Sequence, residues 1–410
     1  MTVQRQSLMA ASTAVSDQPN ARAAAREVSE ALSARLTVRP DLLVVFGTFH
    51  HRALFSDAIG SLRSDLHPAH LLACTAEGVI GNDSEIERSC GLVAIALRLP
   101  GVTLRPFHFD IHDGPPSVWS PGFIRERMSL PPDEGALPFR GTLMLSDPFS
   151  IHAQHACTAI DDAAGPGGAR IFGGLASGAS HAGLNVLGCD RRTSHSGMVG
   201  LTVFGDVTID GFVSQGCAPL GPDLIVTKAR GNELLELGGR PALVVAQEIA
   251  ESLGERERAL LSSGLLVGVA FDAGKPRLGR GDFLIRELHA VDGAHKSIVL
   301  REPVAVGSTV RFHARDARTA HEDLDMLLDS EQLREPPVAG LLFSCNARGT
   351  RMFGEPNHDA ALVSRRLAGA PIAGFHCAGE IGPRHGRSYL HTQTASLALF
   401  RRPRPDFTEV

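Results

Sequence analysis

Between Leu42 and Leu99 the chain sets continuous apolar runs around one amphipathic stretch. LLVVFGTF, starting at Leu42, is a β-branched apolar run suited to a strand buried on both faces; RALFSDAIGSL predicts an amphipathic helix; and HLLACTAEGVIG returns as an apolar strand ending in a glycine turn. CGLVAIALRL, from Cys90 to Leu99, closes the unit as another strand. The same order recurs in GTLMLSDPFS (strand), HAQHACTAIDD (helix), ARIFGGLASGAS (strand and turn) and GMVGLTVFGDV (strand). A third unit occupies residues 338–402, with a short strand at Ile372–Phe375, a turn built on Gly379, Glu380 and Gly382, and a strand from Thr394 to Phe400. Phe46 lies 32 residues before Gly78, Leu145 lies 33 before Gly178 and Phe343 lies 36 before Gly379, a near-constant spacing that predicts duplication. The turns echo one another as well. CTAEGVIG (Cys74–Gly81) shares its Cys-x-x-Glu spacing and Ile-Gly pair with Cys377–Gly382, and IFGGLASGAS keeps Gly174 and Gly178 but has no acid.

The remaining stretches read less regularly. Residues 1–18 are expected to be a flexible tail, followed by a helix at 20–36, where Ala24, Val28, Leu32 and Leu36 form one stripe. Residues 113–138 hold six prolines and the single Trp and are expected to be a connector. TKARGNELLELGG predicts a hairpin turning at Gly238 and Gly239, and Pro241 opens a helix running to about Leu261. Strands are expected at 264–271, 282–289, 297–302 and 308–313, then a helix from Ala317 to Leu328. Whether residues 222–314 are a diverged fourth copy stays open at this level. The fold class is α+β: repeated strand-helix-strand units forming layered mixed sheets with outer helices, in two associated halves. The expected divisions are 1–18 (tail), 19–221, 222–402 and 403–410 (tail).

Composition narrows the function. A formal charge of −5, a pI near 6.4 and 5% aromatic residues give neither a basic face nor a stacking platform for nucleic acid. No apolar run reaches the ~18 residues of a membrane span, and the first fifteen residues lack the layout of a signal peptide, so no membrane insertion is expected. Seven cysteines without a C-x-x-C pair are neither a disulfide framework nor a zinc site, and they point to a reducing cytoplasm.

The chemistry gathers at the glycine turns. Glu77 and Glu380 either hold an amine or guanidinium group of a ligand or cap backbone N–H groups of their own turns; Arg348 either pairs with a ligand carboxylate or forms a structural salt bridge. The candidate ligand-binding set is Cys74, Glu77, Gly78, Gly174, Ser177, Gly178, Asn346, Arg348, His376, Cys377, Gly379 and Glu380. Cys377 and His376 are neighbours on a strand and point to opposite faces, so no catalytic pair is expected. His108, Asp110 and His112 alternate in HFDIH and would share one face of a strand, without a further ligand to complete a metal site. There is no H-E-x-x-H or G-x-S-x-G, and GVAFDAGKP departs from a phosphate loop in spacing and in the proline after its lysine.

The final unit, GLLFSCNARGTRMFGEPNHDAALVSRRLAGAPIAGFHCAGEIGPRHGRSYLHTQTASLALF, resembles the C-terminal half of the FIST domain at Cys345, Asn346, Arg348, Gly349, Phe353, His358, Asp359, Gly374, Phe375, Cys377, Gly379, Glu380, Ile381, Gly382 and Thr394. CTAEGVIG, GTLMLSDPFS, IFGGLASG and GNELLELGGRPAL resemble its N-terminal half and junction, so the likeness covers residues 40–402. Ala347 departs from the family's usual glycine and His376 from its second aromatic. The resemblance implies a FIST N-terminal domain over 19–221 and a C-terminal one over 222–402. It also implies a non-catalytic sensor that binds a small molecule, such as an amino acid or related metabolite, and acts on a signalling partner encoded on another chain. The alternatives are an interaction adaptor without a ligand, and behind it an unrecognised hydrolase or transferase, or a haem-based sensor. No cofactor is expected, and no C-x-x-C-H marks covalent haem attachment.

Overall fold

The computed structural model describes residues 8–130 and 137–403. They divide into a larger compact unit, formed by residues up to Val213, Leu327–Leu390 and those from Ala395 on, and a smaller one of Ser214–Met326 with His391–Thr394.

The larger unit is one module built three times. The first runs β1 (Ala10–Ser16), α1 (Ala21–Arg35), β2 (Leu42–Thr48), α2 (Phe55–Leu66), β3 (His70–Ala76), β4 (Gly78–Gly81), β5 (Ser84–Glu87) and β6 (Leu92–Arg98). The second repeats this order as β7 (Val102–Phe109), α3 (Pro121–Met128), β8 (Phe139–Ser146), α4 (Ala153–Ala164), β9 (Ile171–Leu175), β10 (Leu187–Cys189), β11 (Arg192–Ser194) and β12 (Met198–Gly205). The third opens with β13 (Thr208–Gln215) and is interrupted in sequence by the smaller unit: β14 (Cys217–Arg230), β15 (Glu233–Leu237), β16 (Arg240–Pro241), α5 (Ala242–Ser252), α6 (Glu255–Leu260), β17 (Leu265–Ala270), β18 (Phe283–Asp292), β19 (Ser297–Leu300) and β20 (Thr309–Arg315). It resumes at Leu327, within α7 (Ala317–Glu331), and continues with β21 (Ala339–Cys345), α8 (Thr350–Phe353), α9 (His358–Arg366), β22 (Ile372–Cys377), β23 (Glu380–Arg384), β24 (Arg387–His391) and β25 (Thr394–Arg401).

Each module contains one parallel crossover: β2 with β3, β8 with β9 and β21 with β22. A closing antiparallel strand flanks each opening strand. Each short hairpin then leaves its own module. β4–β5 joins the sheet of β22, β23–β24 joins that of β9, and β10–β11 joins that of β3, so the three sheets are laced together in a ring. All seven residues of β2 are buried, as a strand covered on both faces requires. Its alternate residues Leu42, Val44 and Phe46 enter a core shared by all three sheets, where the Phe46 ring lies 4.7 Å from Phe375 and 6.5 Å from Phe343. Leu43 and Val45 face outward into a layer with Val28 and Leu32 of α1 and Ala58 and Leu62 of α2.

The mixed α/β architecture of several sheets with covering helices is the one expected, and several details differ. Ala10–Ser16, placed in a flexible tail, pair antiparallel with β6 from Ala10↔Arg98 to Ser16↔Leu92; edge pairing supplies order that this weakly apolar stretch does not advertise. Within 113–138, α3 starts at Pro121, where a missing N–H costs nothing, and Ser120 caps it by accepting the Phe123 N–H. Residues 131–136 of that connector and 404–410 of the C-terminal tail lie outside the described residues. The hairpin expected at Gly238–Gly239 forms between β15 and the two-residue β16, Leu237 facing Arg240, and a longer hairpin, β14 with β15, turns at Gly231. The helix after Pro241 breaks at Leu253–Gly254. Residues 222–314 are no fourth copy, since strands β14 to β20 pair antiparallel throughout and contain no parallel crossover. Among the described residues no helix is long and apolar enough to cross a membrane.

Candidate functional site

The opening and returning strands of each module are parallel, so their C-terminal ends emerge together, the position where open α/β sheets present ligand crevices. In the larger unit these ends converge on a cleft of about 580 Å³. Phe49 and Arg52 follow β2, Glu77 follows β3, Pro148 and Phe149 follow β8, Ser177 to Ser180 follow β9, Asn346 follows β21, and Ala378 follows β22. All three modules therefore contribute to one concavity.

Ser177 ties them together. Its hydroxyl accepts from the Glu77 N–H at 2.9 Å and donates to the His376 carbonyl, so one side chain from the second module bridges the first and the third. The Glu77 carboxylate is not turned back on its own turn. Oε2 accepts from the Asn346 amide at 3.0 Å and Oε1 from the Arg351 guanidinium at 2.6 Å, and Arg351 also donates to the Asn346 carbonyl at 3.0 Å. Buried Asp147 shapes the turn after β8 by accepting from Ser150 Oγ at 2.7 Å and from Asn185 Nδ2 at 2.9 Å. That turn presents Phe149, which is 45% exposed, while Phe49 is 42% exposed, so the cleft carries two uncovered aromatic faces beside polar groups.

Of the twelve residues singled out in the sequence, Glu77, Ser177, Gly178 and Asn346 line this cleft. The others lie behind it. Arg348 is fully buried, and its guanidinium grips Asp359 at 2.7 and 2.8 Å; of its two expected roles the structural ion pair is the one built. Burial opposes the charge on Asp359, but Arg348 and then His358 outweigh it and hold that carboxyl far below the usual range. Glu380, also fully buried, starts β23 opposite Gly174 and lies close enough to influence Arg348 and Cys377 electrostatically. Cys74 and Cys377 belong to the shared core, where burial pushes both thiols well above their ordinary pKa, and Gly174 keeps space for the Cys377 sulfur. A Cβ on Gly379 would lie 2.9 Å from Leu390 Cδ1, and one on Gly78 would lie 2.8 Å from the His376 ring. His376 is on the strand face opposite Cys377, with Nε2 at 3.6 Å from Glu85 Oε2.

The HFDIH grouping does not form on one strand face. β7 ends at Phe109, and Asp110 caps the following turn by accepting the His112 N–H at 2.7 Å. Sequence reasoning missed Phe49, Arg52, Pro148, Phe149, Ala179, Ser180 and Ala378 in the cleft, and Arg351 beside it. The repeat itself carried a signal for several of them: the residues just past each opening strand are as well placed as those past each returning strand. A larger cleft of about 750 Å³, beside Arg63, Arg127, Arg191, Arg192 and His108, lies at the β10–β11 hairpin and away from the strand ends.

Residues 41–240 match the FIST N domain and residues 242–383 the FIST C domain. Uncharacterized protein Rv0628c of Mycobacterium tuberculosis is 36% identical over 394 residues, covering 94% of this chain and 98% of that protein. Uncharacterized protein Mb0898c of Mycobacterium bovis is 36% identical over 389 residues, covering 93% and 96%. Among solved structures, the crystal structure of cyanuric acid hydrolase from A. caulinodans is similar at a TM-score of 0.38 and 9% identity, covering 97% of this chain and 100% of that one. FIST domains are in general sensory domains of signal transduction. On its match to both domains and its likeness to these relatives along nearly their whole length, the chain belongs to the FIST family.

Proposed function

We propose that this protein is a non-catalytic sensor that takes a small zwitterionic metabolite, an amino acid or close relative, into the cleft at the strand ends and signals to a partner on another chain. The observation that carries the reading is the set of groups gathered there. The Arg52 guanidinium suits a carboxylate, the Glu77 carboxylate has lone pairs left for an ammonium, and Phe49 and Phe149 offer apolar faces for a side chain. Of the nucleophiles nearby, the Cys74 and Cys377 thiols are sealed in the core with raised pKa values, which sets them aside for catalysis. Ligand binding would draw on all three modules, which gives a route from occupancy to a change in how they are held.

The test is a thermal-shift screen of amino acids, polyamines and small carboxylates. A ligand at a hundredfold excess over its Kd stabilises the folded state by about 2.7 kcal/mol, which for a chain of this length moves the melting midpoint by about 3 °C. Arg52→Ala and Asn346→Ala should abolish the shift and leave the unliganded midpoint within a degree or two. If no compound stabilises the protein while a stoichiometric protein partner is captured, the adaptor reading replaces this one.

A further inference from the structure

We propose that Glu85, Glu87 and His376 form a binding site for a divalent first-row transition-metal ion, with zinc as the probe, which fastens the hairpin of the first module to the returning strand of the third. The site is separate from the cleft, and no ligand named above is needed for it.

The strands place the three side chains on one face. Glu85 and Glu87 are two apart on β5, and β5 pairs with β4 so that Gly78 faces Glu87 and Ile80 faces Glu85. β4 pairs in turn with β22, Val79 facing Phe375, which brings His376 beside Gly78. Gly78 has no side chain, and the imidazole reaches across it toward the acids; a Cβ there would sit 2.8 Å from His376 Cδ2. One ligand atom from each of the three residues lies within 4.8 Å of the other two.

The second observation is that two of these atoms are buried without a hydrogen-bond partner. His376 Nε2 and Glu85 Oε2 are both sealed from solvent, face each other at 3.6 Å as an ion pair when the imidazole is protonated, and have no partner within hydrogen-bond distance. That distance is too long for a hydrogen bond. It is close to the roughly 3.3 Å that separates two ligands bound at about 2.05 Å to a tetrahedral ion. A buried pair of this kind is costly to leave unsatisfied, and an ion between them satisfies both.

The rest of the site is held in place from behind. Glu85 Oε1 accepts from the Ala360 N–H at 2.9 Å, and the Glu85 N–H donates to Asn357 Oδ1 at 2.7 Å. Glu87 accepts from both the N–H and the hydroxyl of Thr350 at 3.0 Å, and each of its oxygens keeps a further lone pair for a metal. Gly349, at a φ of +62°, allows that approach, since a Cβ there would lie 2.7 Å from Glu87 Oε1. Outer hydrogen bonds that orient the ligands are the usual accompaniment of a metal site. One imidazole and two carboxylates with a fourth position for water suit zinc, and half-buried Glu87 marks the side from which an ion enters.

The experiment titrates zinc into the chelator-treated full chain by calorimetry. It is paired with a crystal of the zinc-soaked protein, in which an anomalous difference peak is sought among the three side chains. The expected result is one zinc per chain with a micromolar or tighter Kd and a peak between His376 Nε2 and Glu85 Oε2. Glu87→Gln and His376→Gln should each weaken zinc at least tenfold, the first without moving the metal-free melting midpoint because its amide oxygen still accepts from Thr350. The grouping of half-buried Glu233 and Asp292 with exposed His295 supplies the control, and His295→Gln should leave the stoichiometry unchanged. No binding below 100 µM, full affinity in both variants, or loss of binding in His295→Gln overturns the proposal.

Discussion

Replacing Arg348 by alanine separates a structural ion pair from a ligand contact. The wild-type pair is fully buried at both ends, with two charge-assisted bonds of 2.7 and 2.8 Å to Asp359. Asp359 also accepts from Ser344 Oγ at 2.9 Å and touches His358 Nδ1 at 3.0 Å, and Arg348 lies 5.3 Å above the Phe353 ring. Removing one partner of a buried pair leaves an uncompensated charge and costs about 3–5 kcal/mol. For a unit of this size, with about 2.1 cal/mol/K of unfolding entropy per residue, that lowers the midpoint by about 5–8 °C. The pH dependence carries a second signature. Asp359 in the wild type has a folded pKa depressed below its unfolded value, so the pair's contribution is complete above about pH 4 and is lost as pH falls toward the folded pKa. In Arg348→Ala only burial and the weaker partners remain, the carboxyl's pKa rises, and protonation relieves the penalty, so the deficit against wild type shrinks on acidification. Denaturant unfolding of both proteins from pH 7 to pH 4 measures this, and Arg348→Met with Asp359→Leu should recover most of the loss. A deficit under about 1 kcal/mol at pH 7, or one that stays constant down to pH 4, would refute the reasoning.

Two further outcomes follow from the same packing. Gly174→Ala places a Cβ on the Cys377 sulfur, which β22 holds, and 3.3 Å from the Gly379 carbonyl, which the Leu175 N–H holds, and should cost about 1–3 kcal/mol by thermal melting; an unchanged midpoint would show that the sheets yield there. Six of the seven cysteines are buried and Cys90 is only partly so, and burial, with Asp190 nearby, pushes the Cys189 thiol up to about 12. An Ellman titration of the native protein should therefore find one fast thiol per chain and seven after denaturation, and a second fast thiol would contradict the burial.

The sequence by itself was enough for the three strand-helix-strand crossovers, because each is specified locally. An apolar run such as LLVVFGT must be covered on both faces, the amphipathic stretch after it supplies one cover, and the constant spacing marks the repetition. It was also enough for the family, and it pointed to Glu77, Ser177 and Asn346 through the turns they occupy. What only the tertiary structure decided is where each hairpin goes. β4–β5, β10–β11 and β23–β24 each leave their own module for another sheet, and a strand's partner is set by non-local hydrogen bonding that its own residues do not encode. That exchange separates positions that look equivalent in the chain. Cys74-x-x-Glu77 and Cys377-x-x-Glu380 share one spacing, yet Glu380 is drawn into β23 against Gly174 and buried, while Glu77 precedes β4 and reaches the cleft, where Arg351 and Asn346 meet it. Arg348 is divided from a ligand by the same kind of fact, since Asp359 is eleven residues away in sequence and only packing brings α9 against the turn after β21. A charge's partner is chosen by distance in space and by exclusion of water, and neither is written in the order of the residues.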